Sequence, residues 1–183
     1  MNYLKNASSA LTIYDLEGRR VADVPIPAMG SIWGRIGGDW SSKEAFFTFY
    51  SYAIPHTIYQ VSLDGKIVEW NKVKSDIDPH QYEVKQLWFN SKDGTRVPMF
   101  VVHKKGLQLN GRNPVLLSGY GGFNLGRTPV FNRNAMLLLL EHGGSMPMCN
   151  SGVAASLAKN GTVPACWIKS KTSSTTLLQR LNT

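Results

Sequence analysis

Alternation of apolar and polar positions divides the first seventy residues into short β-strands parted by turns. Leu11-Thr-Ile-Tyr-Asp15 alternates, Glu17-Gly18 turns the chain, and Arg20 to Val24 returns antiparallel. Gly30 to Gly34 is a weaker strand, followed by a turn at Gly37-Gly38-Asp39. Ala45-Phe-Phe-Thr-Phe-Tyr-Ser-Tyr52 is the strongest strand, because aromatic and β-branched residues fit a half-buried pleated surface. Pro55 ends it. Thr57 to Ser62 and Lys66 to Trp70 form a hairpin through Asp64-Gly65, a pair suited to the two left-handed positions of a type I′ turn. Strands at this spacing predict a sandwich, a barrel or a propeller, and periodicity does not choose among them.

Asp76 to Pro79 marks a boundary. Beyond it Tyr82 to Phe89 alternates, Ser91-Lys-Asp-Gly94 turns, and Val97 to His103 returns with Met99, Val101 and His103 on one face and Phe100 and Val102 on the other. A polar loop, Lys104 to Asn113, leads to the stretch Pro114-Val-Leu-Leu-Ser-Gly-Tyr-Gly-Gly-Phe-Asn124. Val115 to Leu117 predict a short buried strand that stops where Gly119, Gly121 and Gly122 surround Tyr120 and precede Phe123. Glycines there let the backbone take positive φ and approach a ligand closely. Two readings stand: a catalytic loop, or a glycine-rich connector with a core tyrosine. His103, a lone histidine in a strand, reads as a packed residue rather than a base. Arg127 to Arg133 is a loop and Ala135 to Glu141 a short apolar segment.

Composition narrows the class. The chain has 183 residues, 43% apolar and 17% charged. It holds no apolar run of the eighteen or so residues a membrane span needs, and its first residues lack a basic stretch followed by an apolar core. A cytoplasmic globular protein is expected. The net charge of +8 is unevenly placed: 16 basic against 12 acidic residues precede His142, and Lys159, Lys169, Lys171 and Arg180 follow with no acid. No stripe of Arg and Lys interleaved with aromatics accompanies the excess, so nucleic acid is not the expected partner. Cys149 and Cys166 have no histidine spacing of a zinc site and are too few for a disulfide framework.

The stretch 114–124, with Asp78 to Gly106 and Leu138-Leu-Leu-Glu-His-Gly-Gly144, resembles the start of the peptidase domain of the prolyl oligopeptidases, serine peptidases of the α/β hydrolase type. The segment before it resembles the closing blades of their seven-bladed propeller, including Phe49-Tyr50-Ser51-Tyr52, Pro55 and Ile58-Tyr59. The resemblance implies a mixed fold: a partial propeller over 1–77, the first strands of an α/β hydrolase domain over 78–144, and a disordered tail over 145–183. It implies hydrolysis of short proline-containing peptides after proline, with no metal and no cofactor. By resemblance Tyr120 is the oxyanion donor and Phe123 walls the substrate-proline pocket. A phenol with pKa near 10 stays protonated at neutral pH and donates one hydrogen bond, worth about 3 kcal/mol in such a transition state. The family's Gly-x-Ser-x-Gly elbow is absent, as are its later Asp and His, so the chain itself is expected to be inactive. Incomplete cores suggest association with an intact relative or a chaperone. The alternative is a non-catalytic interaction protein that uses exposed sheet edges.

Ser145 to Thr183 loses this texture: it is rich in Ser, Thr and Ala and has no sustained period. With suitable synonymous codons, Ser145 to Ser156 read from the third base of the first codon gives Tyr-Ala-Asp-Val-Gln-Leu-Arg-Gly-Gly-Gly-Glu, the continuation that the resemblance leads one to expect. Met146, Met148 and Trp167, whose codons have no synonyms, fit that frame. An out-of-frame origin after Gly144 is therefore expected for the tail.

Overall fold

The computed structural model describes residues 1–90, 94, 96–108, 110–119 and 127–149. The chain divides into two units: Met1–Asp76 together with Thr128–Asn132, and the remainder from Ile77. In the first unit a three-stranded sheet is ordered β1-β2-β3, from Asn2–Lys5, Ser8–Tyr14 and Arg20–Val24. A four-stranded antiparallel meander follows, β4 to β7, from Gly30–Gly37, Glu44–Ser51, Thr57–Ser62 and Ile67–Lys72.

The two sheets share one core. Leu11 and Val24 of the first meet Ile32, Phe47, Phe49, Tyr59 and Val61 of the second. Alternation explains the choice of face, since Phe47 and Phe49 point one way along β5 while Phe46 and Thr48 point the other. Phe47 and Phe49 are fully buried, each contributing about 1.5–3 kcal/mol by removal from water. Thr128–Asn132, expected only as a loop, belongs to this unit, where the Ser31 hydroxyl donates to the Pro129 carbonyl at 2.8 Å.

The hairpin turns differ from the expected type. Gly65 has φ of 84°, but Asp64 stays at negative φ, so the loop is Leu63-Asp64-Gly65 rather than a two-residue type I′ turn. Gly65 N–H donates to the Ser62 carbonyl at 2.9 Å and Ser62 N–H to the Lys66 carbonyl at 3.0 Å, the pattern of a type I turn closed by a glycine bulge. The β2–β3 turn repeats it: Gly18, at φ 79°, donates to Asp15 at 3.1 Å, and Asp15 N–H to Arg19 at 3.0 Å. Asp15-Leu-Glu-Gly-Arg19 and Ser62-Leu-Asp-Gly-Lys66 are thus one device used twice, as in a repeating β architecture.

The second unit carries four strands, β8 (Tyr82–Asn90), β9 (Arg96–Lys104), β10 (Ser118–Gly119) and β11 (Ser145–Cys149), in one sheet ordered β10-β11-β9-β8. Strands β8 and β9 form a long hairpin. Strand β9 is buried from Val97 to His103 on both faces, with Met99 and Val101 against Leu87, Phe89 and Leu117. Strand β10 is only Ser118–Gly119, not the expected Val115 to Leu117. Val115 makes a single parallel bridge to Ser145, and pairing resumes at Ser118 opposite Met148. That register puts Leu117 opposite Pro147, which has no N–H to offer a ladder. Between these strands runs one helical turn, Arg133–Ala135, continuing as a π-helical segment Met136–Leu140 whose Met136 and Leu140 are buried.

Strand β11, Ser145–Cys149, corrects the expectation of disorder directly after Gly144. It fills the place between β9 and β10, pairing antiparallel with one and parallel with the other, and Met146 is buried there. Two flanking ladders and an apolar side chain suffice to order five residues of poor strand composition. The rest of the expected tail, 150–183, lies outside the described residues.

Candidate functional site

Parallel pairing needs a crossover, and here the crossover starts at the end of β10 and returns through the helical segment into β11. The strand β10 is therefore the support from which the candidate loop leaves. Its Gly119 pairs with Cys149 and is the residue directly before Tyr120. Backbone bonds fix the approach: Leu116 N–H donates to the Ser145 carbonyl at 3.0 Å and Ser145 N–H to the Pro114 carbonyl at 2.8 Å. Tyr120 and Phe123 themselves lie outside the described residues.

The crossover is tied down at its far end by a charged cluster. Tyr82 at the start of β8 donates its hydroxyl to Glu141 Oε1, and Lys104 at the end of β9 binds Glu141 Oε2 at 2.9 Å. The two donors, Tyr82 first and then Lys104, hold the Glu141 carboxyl below its ordinary range. Burial, and then the carboxylate, push the Tyr82 phenol up to about 12. Gly144 follows in tight contact, since a Cβ there would lie 2.6 Å from Leu139 side-chain atoms and 2.8 Å from its carbonyl. The sequence reading did not single out this cluster. Its one signal was a lone acid closing an apolar run.

His103 is buried in β9 opposite Glu83 of β8. Its Nδ1 donates to the Lys104 carbonyl at 2.9 Å, leaving Nε2 without a hydrogen bond and 3.7 Å from Glu83 Oε2, which Lys85 also holds at 3.1 Å. No described hydroxyl or thiol is hydrogen-bonded to this ring. Ser118 and Ser145, the described serines of this sheet's parallel edge, lie in strands rather than on a strand-to-helix elbow. Among the described residues no cluster of three or more His, Cys, Asp or Glu could hold a metal ion. Among the described residues, no nucleophile is hydrogen-bonded to a base.

Residues 1–73 match the family described as the prolyl oligopeptidase N-terminal beta-propeller domain. Among curated proteins, the prolyl endopeptidases of Elizabethkingia miricola and Elizabethkingia meningoseptica are 38% and 35% identical to this chain over 144 residues. Each alignment covers 78% of the chain and 20% of the relative. The chain thus spans about a fifth of the length of the curated relatives it matches. A solved structure from a mechanistic study of two prolyl endopeptidases superimposes with a TM-score of 0.72 at 39% identity, over 82% of this chain and 22% of that one. A post-proline cleaving enzyme from Rickettsia typhi gives 0.67 at 25%, over 82% and 22%.

Proposed function

The chain belongs to the prolyl oligopeptidase family as a fragment-length member, and we propose from this that it carries one wall of a post-proline peptidase site without the groups that cleave. The lineage reaction is hydrolysis of short peptides on the carboxyl side of proline by a serine nucleophile. In this reading Tyr120 would donate to the oxyanion and Phe123 would face the proline ring. The single observation that carries it is the strand β10 ending at Gly119 in a parallel pair with β11. It is the third strand of its sheet in chain order, and the loop after the third strand is where α/β hydrolases keep an oxyanion donor. The 183 residues contain no Gly-x-Ser-x-Gly, and an oxyanion donor without a nucleophile gives no covalent turnover. No metal or cofactor enters this chemistry, and the cytoplasm is the proposed location.

An out-of-frame origin for 145–183 belongs to the same proposal. Proline is confined to edge strands and bulges in natural sheets, yet Pro147 lies in a strand with partners on both sides. Pro98 of β9 lies in such a strand too, so the out-of-frame origin rests on the codon pattern of 145–156 rather than on Pro147. Transcript reads across the Gly144 codon test it, and a single unbroken frame at related loci would refute it. For the catalytic reading the test is a fluorogenic Gly-Pro peptide with purified chain. No release of fluorophore is expected; turnover abolished by a serine-directed inhibitor would overturn the assignment.

A second reading is an interaction protein. It is favoured by one sheet face of the first unit, where Trp33, Val68 and Trp70 are each about 60% exposed.

A further inference from the structure

Between the β1–β3 and β4–β7 sheets, at the end that carries the β2–β3, β4–β5 and β6–β7 turns, lies a cleft of about 410 Å³. That volume is within the range of ligand sites. Its floor is the shared core surfacing at Leu11, Ile13 and Val61. Its rim includes Trp40, fully exposed, and Leu63, more than half exposed. Trp40 is held out by a preorganised loop. The Asp39 carboxylate accepts from the Ser41 N–H at 2.8 Å and from its hydroxyl, and Ser42 N–H donates to the Asp39 carbonyl at 3.0 Å. Gly38 is pressed against the strand behind it, with a Cβ there only 2.7 Å from the Glu44 carbonyl.

The strand β4 is the edge of its sheet, and its two halves differ. In the first half Gly30 N–H and Ile32 N–H are covered by the hydroxyls of Ser8 and Ser9, each at 2.9 Å. In the second, Gly34, Arg35 and Ile36 leave the β4–β5 register between Trp33, opposite Thr48, and Gly37, opposite Phe46. This bulge runs into the cleft, where Ile36, Gly37 and Gly38 form its wall. The charges of the lining residues are of both signs: Lys43 and the Met1 ammonium, which donates to the Thr12 carbonyl, against Asp39 and Glu44. A phosphate or an anionic lipid surface is poorly matched to such a rim, whereas a polypeptide offers dipolar backbone, apolar side chains and either charge.

We infer that this cleft docks an extended peptide bearing a bulky apolar side chain, with the peptide backbone along the bulged end of β4 and the side chain between Trp40 and Leu63. The side chain fills the pocket while the peptide backbone lies against the strand end, where the bulge precludes a regular added strand. This docking stands apart from the peptidase reading, because it uses no residue of the 114–124 loop.

The test uses the full 183-residue chain and two fluorescein-labelled hexapeptides, Ala-Ser-Phe-Leu-Ser-Ala and Ala-Ser-Asn-Gln-Ser-Ala, followed by polarisation. Saturable binding of the first alone is expected. Leu63→Lys and Trp40→Ser, both on exposed side chains, should each weaken it at least about fivefold, the effect of removing an interface anchor. Leu16→Lys, at the equivalent place in the repeated turn but outside the cleft, should leave it unchanged. Bound peptide should also shield one tryptophan from acrylamide in the wild type and none in Trp40→Ser. Equal affinity for both peptides, equal losses from Leu16→Lys and Leu63→Lys, or no polarisation change up to about 1 mM protein would each overturn the inference.

Discussion

Glu141 accepts from two donors that face each other across the open end of the β8–β9 hairpin, Tyr82 and Lys104, so its charge state is coupled to how the crossover is anchored. A carboxyl held below its ordinary range favours folding when ionised; that contribution is present above the unfolded value and lost as pH falls through the lowered one. Melting temperature should therefore drop on acidification below about pH 4.5, and Glu141→Gln should flatten that part of the profile. The Tyr82 phenol has the reverse sign. Raised to about 12 from 10.0, it resists ionisation in the folded chain, so stability is intact below pH 10 and lost between pH 10 and about 12. Tyr82→Phe should remove this alkaline loss; an unchanged pH profile by circular dichroism would show that the cluster is not formed. Steric limits act on the same scale at Gly30, where a Cβ would fall 2.2 Å from the Phe49 ring and 2.4 Å from the Tyr50 carbonyl. Gly30→Ala should cost roughly 1–3 kcal/mol in urea unfolding, the scale of an overpacked core.

The repeated turn offers a matched pair at the scale of elements. Gly18 and Gly65 both have left-handed φ, but Gly18 faces open space while a Cβ at Gly65 would lie 3.0 Å from Ala22 Cβ and the Asp23 carbonyl. Alanine at either should cost about 1 kcal/mol or more from backbone strain, with Gly65→Ala the worse of the two. Equal losses would mean that the second hairpin is not packed on the first sheet. In β11, Pro147→Val should stabilise by about 1 kcal/mol, the worth of one recovered ladder bond. Most strands of the first unit were legible because Leu11, Ile13, Phe47, Phe49, Tyr59 and Val61 alternate with residues that face the other way. Turn type was not legible, since an Asp-Gly pair reads alike in two- and three-residue loops. Strand β1 escaped notice because Asn2–Lys5 is exposed throughout and shows no alternation. Strand β11 escaped for a different reason: its order comes from β9 and β10, neighbours that its own composition does not announce.

For the whole molecule, the exposed face of β4–β7 belongs to a chain about a fifth as long as the curated relatives it matches. Trp33 and Val68 share that face with Phe46 and Ile58, and Trp70 packs edge-on against Phe46. How the candidate site would look was only partly readable: the glycine run and Tyr120 stood out in sequence, but the Tyr82–Glu141–Lys104 anchor joins residues far apart along the chain. The proposed absence of an activated serine from these 183 residues is open to direct test. Its most direct measurement is exposure of the purified 183-residue chain to a biotinylated fluorophosphonate, with peptide mapping by mass spectrometry. The expected result is no modified serine at inhibitor concentrations that label an intact prolyl endopeptidase to completion. Stoichiometric phosphonylation of any serine in this chain would contradict it.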